Sequence, residues 1–147
     1  MAVCREVMTP DPACCQATDS IVRVAQFMKT EDVGAVPVVE SLSTRKLVGI
    51  VTDRDIAVKA VASGRSVDST TVKEVMTTDV VTCREDEDVD KAVARMAERQ
   101  VRRLPVVDAG GTLRGIISQA DIATRVNQDK TTGALVEAIS EPGTLRR

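Results

Sequence analysis

Apolar residues recur at helical spacing after Asp19, at Ile21, Val22, Val24, Ala25 and Met28. That stripe predicts an amphipathic helix with an acid near its first turn. A second stripe, Val89, Ala92, Val93, Met96 and Ala97, opens after Asp86 and Asp88. Each stripe is followed by a short apolar run with proline at its second position, "VPVVE" from Val36 and "LPVVD" from Leu104. Proline suits the first residues of a strand. A second run then ends in a hydroxyl residue, "KLVGIVT" up to Thr52 and "LRGIIS" up to Ser118, with Gly110-Gly111 supplying the turn in the later copy. Helices are predicted to start at Asp53 and Gln119, the first ending near Gly64 as a C′ glycine. Leu135, Val136 and Ile139 predict an accessory helix over residues 130–140, stopped by Pro142.

The pattern is written twice. "REVMTPDPACC" (Arg5 to Cys15) lies over "KEVMTTDVVTC" (Lys73 to Cys83) at a shift of 68, and "VGAVPVVE" over "VRRLPVVD" at the same shift. The shift falls to 66 between "GIVTDRDI" from Gly49 and "GIISQADI" from Gly115, because the loop "SLSTRK" is two residues longer than its counterpart. Each copy reads β-α-β-β-α, and the two span residues 5 to about 126. One unit alone would leave a three-stranded sheet with a bare face, so the expected fold is α/β (α+β), two repeats packed about a pseudo-twofold axis. The expected boundaries are 1–68, 69–128 and a C-terminal helix and tail over 129–147.

Composition narrows the function. The chain is 43% hydrophobic and 29% charged, with Phe27 as its one aromatic residue. Single-stranded nucleic acid would need stacking aromatics. A net charge of −2 with no long basic run argues against duplex binding. No apolar stretch nears 18 residues and the N-terminus lacks signal-peptide character, so no membrane is expected and the cytoplasm is the expected compartment. Cys4, Cys14, Cys15 and Cys83 show no CxxC spacing, and the chain has no histidine, so no metal site is expected. In a reducing cytosol they read as small buried hydrophobes, and Cys15 and Cys83 occupy equivalent positions. A thiol-based stress sensor using the vicinal Cys14 and Cys15 is the rival reading. The acidic run "REDEDVD" from Arg84 lacks the spacing of a calcium loop and is expected to open a helix. No nucleotide-loop, triad or general-base motif suggests an enzyme.

Thr52-x-x-Asp55 and Ser118-x-x-Asp121 stand where a strand hands over to a helix. Such a pair is a capping box, each side chain bonding the other's backbone N–H. A carboxylate at that place can also accept two hydrogen bonds from a vicinal diol such as ribose. The adjacent helix start favours phosphate. Arg54 lies inside the first motif, while Arg102 and Arg103, flanked by Val101 and Leu104, precede the second copy's strand. Both readings stay open on the residues alone.

The repeated unit with "VMT…LPVV…GIIS..DI" resembles the CBS domain, and two in tandem resemble a Bateman module of the bacterial stand-alone type. The resemblance implies a non-enzymatic regulatory protein that requires no cofactor. Its clefts would bind AMP, ADP, ATP or S-adenosylmethionine, and it would signal to a partner protein by changing shape, commonly as a homodimer. It further implies one cleft with Thr52, Arg54 and Asp55 joined by Val81, Val101, Arg102 and Arg103. Asp55 would take the ribose, Thr52 and the arginines the phosphates, and the backbone at Val81 the adenine. A second cleft would use Ser118 and Asp121 with Ala13, Val33 and Gly34, where Gly34 and Ala35 replace the arginine pair and weaken the case for phosphate. The alternative is a ligand-free interaction module in which both acidic pairs only cap helices.

Overall fold

The computed structural model describes residues 2–129, and the expected helix over 130–140 lies outside them. In chain order the elements are α1 (Cys4–Val7), β1 (Thr9–Pro10), β2 (Cys15–Gln16), α2 (Ile21–Glu31), β3 (Ala35–Val39), β4 (Leu47–Thr52) and α3 (Asp53–Asp55). A π-helix over Ile56–Val61 continues α3 directly. Then come β5 (Cys83–Arg84), α4 (Val89–Arg99), β6 (Arg103–Val107), β7 (Leu113–Ser118) and α5 (Gln119–Asp129). The architecture is mixed α/β with one sheet ordered β2-β3-β4 and another ordered β1-β7-β6-β5.

Each hairpin is antiparallel, with its proline opposite an isoleucine: Pro37 faces Ile50, and Pro105 faces Ile116. The proline costs no ladder bond. Ile50 exchanges both of its backbone hydrogen bonds with Thr77 (2.9 and 2.8 Å), so its N–H and C=O point away from β3. Pro37 therefore sits at a non-hydrogen-bonded position, and β2 on its other side begins one residue later, at Val38. Gly111 (φ +86°) makes the predicted β6–β7 turn, with Asp108 Oδ1 accepting from the N–H groups of Gly110 and Thr112. Gly64 (φ +74°) follows the first repeat's helical segment as expected.

The helix starts differ from expectation in one detail. Ser20 caps α2, its hydroxyl accepting from the Val22 N–H at 3.1 Å, and no acid stands in the helix's first turn. Asp19 instead accepts from the Gln16 N–H at 2.8 Å and fixes the turn before the helix. Of the predicted stripes, Ile21, Val24 and Met28 in α2 and Ala92 and Met96 in α4 are buried. Ala97 of the second stripe is exposed, one step past the face that α4 turns to its core.

The chain divides into two compact units whose bounds differ from those of the written repeats. The first unit is Ala13–Val80. The second joins residues 2–12 to residues 81–129. Thus the "VMT" segment written in front of each repeat packs onto the sheet of the other. Val72 and Val75 enter the first unit's core with Val24, Val38 and Val51. Cys4 enters the second unit's core with Met96, Leu104 and Ile117. Backbone bonds sew the N-terminal segment in place, from Cys4 N–H to the Glu87 carbonyl (2.8 Å) and from Arg5 N–H to that of Glu85 (2.9 Å). The glycine that opens each "GI" run makes room for the crossing segment. A Cβ on Gly49 would lie 2.8 Å from the Thr77 carbonyl oxygen, and one on Gly115 equally close to that of Thr9 and against Met8 Sδ.

Candidate functional site

Both acidic pairs form complete capping boxes. The Thr52 N–H donates to Asp55 Oδ2 and the Asp55 N–H to Thr52 Oγ1, each at 3.0 Å. The Ser118 N–H donates to Asp121 Oδ2 at 3.0 Å, and the Asp121 N–H to Ser118 Oγ at 3.1 Å. In each case the cap uses one carboxylate oxygen and leaves Oδ1 for other work.

What surrounds Oδ1 differs between the copies. Asp55 is buried, 9% exposed, and its Oδ1 receives the Lys59 ammonium at 3.1 Å. The Thr77 hydroxyl lies 3.4 Å from both of its oxygens. Asp121 is half-buried, and among the described residues its hydrogen bonds are those of the cap. The residue equivalent to Lys59 is Arg125, whose guanidinium donates to the Glu6 carbonyl at 3.4 Å. Lys59 and Thr77 escaped the motif reading. Lys59 was recoverable as the i,i+4 partner of Asp55, but Thr77 is adjacent only through the exchanged segment.

The hairpin registers decide which residues accompany each carboxylate within its unit. Ala35 pairs with Thr52, and the Gly34 carbonyl accepts from the Asp53 N–H at 2.9 Å. Arg103 pairs with Ser118, and the Arg102 carbonyl accepts from the Gln119 N–H at 2.9 Å. The expected grouping set Arg102 and Arg103 with Thr52 and Asp55, and Gly34 with Ser118 and Asp121. Within each unit, antiparallel pairing seats the start of the first hairpin strand beside the end of the second. Arg103 therefore shares its side of the sheet with Ser118, as facing positions on an antiparallel pair do. Gln119, which motif reading also missed, contributes a buried side-chain oxygen without a hydrogen-bond partner among the described residues.

The remaining candidates scatter by unit. Val81 is half-buried against the second unit's core, and Val101 is exposed just past α4. Val33 packs against the first unit's core, and Arg54 is exposed with its N–H on the Asp53 carboxylate at 2.8 Å. Ala13 lines a cavity of about 130 Å³ in the first unit with Cys14, Asp19, Arg23 and Phe27.

The thiols divide clearly. Cys4, Cys15 and Cys83 are buried and Cys14 is half-buried. Burial, helped by Asp19 and Cys14, pushes the Cys15 thiol up to about 12. A hydrogen bond with Cys4, together with burial, drives the Cys83 thiol well up, and the same bond holds Cys4 down. Cys14 Sγ accepts from Arg45 Nη1 at 3.4 Å.

The acidic run is shared out among cations. Glu85 meets Arg5 and Arg114, Asp86 meets Arg84, and Glu87 forms a two-pronged bond with Arg95 at 2.6 and 2.8 Å. Arg95 and the Arg84 N–H hold the Glu87 carboxyl at about 2 against the opposing effect of burial. No group of three or more potential metal ligands occurs among the described residues, and no described helix is long and apolar enough to cross a membrane.

The family model of the CBS domain matches residues 4–61 and again 72–128. The chain belongs to the CBS-domain family. The CBS domain-containing protein YhcV of Bacillus subtilis is 36% identical over 140 residues, covering 95% of this chain and 96% of YhcV. A protein of Methanopyrus kandleri, MK0525, is 35% identical over 118 residues, 80% of this chain, which spans only 57% of that longer relative. Among solved structures, the CBS domain pair of MJ0100 in complex with 5′-methylthioadenosine and S-adenosyl-L-methionine is similar at a TM-score of 0.75 and 30% identity, covering 89% of this chain and 99% of that one. CBSX2 in complex with AMP gives a TM-score of 0.78 at 25% identity, covering 88% and 99%. The tandem β-α-β-β-α reading thus stands as a CBS domain pair.

Proposed function

We propose that this CBS pair is a non-enzymatic regulatory module that takes an adenine nucleotide of the AMP, ADP and ATP class through its second repeat. One observation carries the reading: Arg103 is paired with Ser118, the Arg102 carbonyl accepts from the Gln119 N–H at the start of the helix that carries Asp121, and Asp121 keeps Oδ1 clear of protein partners among the described residues. A ribose diol would bond Asp121, and the guanidinium groups match a phosphate in planar, two-pronged fashion. The buried oxygen of Gln119 would be satisfied by a ligand hydroxyl or amine. Adenine-nucleoside ligands in the MJ0100 and CBSX2 complexes support the ligand class. The arginines favour a phosphorylated member over S-adenosylmethionine. The same reading carries the expected homodimer, cytoplasmic location and regulated partner protein.

Titration calorimetry with AMP and adenosine tests it. Asp121→Asn removes charge-assisted bonds of about 1.5–3 kcal/mol and should weaken AMP on the order of 10- to 100-fold. Arg102→Ala should weaken AMP far more than adenosine. Wild-type protein that binds neither ligand, or Asp121→Asn that binds AMP normally, would favour the second reading, a ligand-free interaction module. That reading has the two complete capping boxes in its favour.

A further inference from the structure

We infer that Lys59 occupies the carboxylate of Asp55 in place of a ligand's hydroxyls, closing the first repeat to nucleotide. The inference rests on the reading of the acidic motif as a ribose acceptor and adds what distinguishes the two copies.

The Asp55 carboxylate is already served from three directions. Oδ2 accepts the Thr52 N–H, Oδ1 takes the Lys59 ammonium at 3.1 Å, and the Thr77 hydroxyl adds a longer contact to both. A carboxylate offers about four lone-pair sites, so two diol hydroxyls would have to displace the lysine. Lys59 is itself anchored, because its Nζ also donates to the Val75 carbonyl at 3.2 Å. Val75 is 1% exposed and belongs to the segment that crosses the first unit's sheet. Displacement would therefore break two bonds and leave that carbonyl to find another donor.

The helix carrying Lys59 is also unlike its counterpart. Residues 56–61 are π-wound, with i→i+5 bonds from Ala62 to Ala57 (2.8 Å) and Arg65 to Ala60 (3.0 Å). The equivalent stretch of the second repeat is continuous α-helix. π-Segments cluster at functional positions, and here the widened turn bears the residue that caps the carboxylate's second oxygen. In the second repeat the same position is also basic, yet Arg125 reaches the Glu6 carbonyl. Charge at this position is common to both repeats. Among the described residues, only the first repeat's basic side chain forms an ion pair with the motif's aspartate.

The experiment is AMP calorimetry on the full chain, reading stoichiometry and affinity. Wild type should bind one AMP per chain, with affinity on the order of 10- to 100-fold lower in Asp121→Asn. Lys59→Met, which keeps the stem and removes the ammonium, should add a second site. In the Asp121→Asn background it should raise affinity at least tenfold, and Asp55→Asn should abolish that gain. Lys59→Arg should leave the site shut. If Lys59→Met fails to fold, Lys59→Gln carries the same test while keeping a donor for Val75. Two AMP per wild-type chain, one of them removed by Asp55→Asn, would overturn the inference and leave the nucleotide reading intact. So would a Lys59→Met variant that binds no more AMP, or binds it more weakly because the lysine recognises phosphate. If wild type binds nothing but Lys59→Met gains one Asp55-dependent site, the inference holds and the second-repeat reading fails. No binding in any variant overturns both.

Discussion

The two units carry the same four-residue motif with cap geometry alike to 0.1 Å, and they surround it with different chemistry. In the first unit the carboxylate is buried under Lys59 and Thr77, next to a strand that begins with alanine. In the second it is half-buried, and the facing strand begins with Arg103, preceded by Arg102. The motif determines how the helix starts. Its neighbours determine what the carboxylate can do.

The largest effect should come from the glycines beneath the crossing segments. Gly115→Ala forces a methyl into Met8 and the Thr9 carbonyl, an overpacking expected to cost about 3 kcal/mol. Gly49→Ala meets the Thr77 carbonyl with more room at Met76 and should cost nearer 1 kcal/mol. Urea midpoints for the two variants would break the comparison if Gly49→Ala proved the more damaging.

Next in size are the caps. Thr52→Ala and Ser118→Ala should each cost about 1 kcal/mol, because their cap bonds are alike. Only Ser118→Ala should also change AMP affinity, so melting points paired with calorimetry separate structure from binding.

Thiol chemistry sharpens the contrast further. Burial at Cys15, and the bond with Cys4 together with burial at Cys83, place both thiols far from ionisation at neutral pH, and a thiol attacks only as thiolate. Native protein should label fast at Cys14 and slowly at Cys15 and Cys83. Rapid labelling of Cys15 without unfolding would revive the vicinal-thiol reading.

The smallest effect concerns Glu87, which stands where the first repeat has Asp19. Its folded value of about 2 lies below the ordinary 4.5, so its stabilisation is complete above pH 4.5 and is lost as pH falls toward 2. Glu87→Gln should flatten the fall of the denaturation midpoint between those values. An unchanged slope would show that the Arg95 pair is too solvated to matter.

Much of the fold was legible because it rests on local signals. The prolines, Gly110-Gly111, Gly64 and the capping boxes each act within a few residues of themselves, and each did what its chemistry requires. The exchange of the "VMT" segments was not legible. Two copies with the same spacing fit either sheet equally well on paper, and the choice depends on packing between residues as far apart as Cys4 and Ile117. The helix ends were hidden for another reason, since Asp32 and Gln100 close α2 and α4 in the left-handed region where glycine would have announced itself. At the site, Arg102 and Arg103 were recognised, but the pairing of Arg103 with Ser118 follows from strand register. Lys59 looked like one more surface cation until Val75 was brought beside it.

The placement of residues 2–12 also sets an order of events at the ribosome. The unit from Ala13 to Val80 is one continuous stretch and has every residue it needs once Val80 has emerged. The other unit must keep its opening dozen residues waiting until β5, β6 and β7 are made, because Cys4 is buried among them and bonded to Glu87. Closing that long loop makes the second unit the slower to assemble, as non-local contacts slow folding in general. The unit that carries Asp121 is thus the last to be completed, and a nascent chain folds its continuous half before its interrupted one.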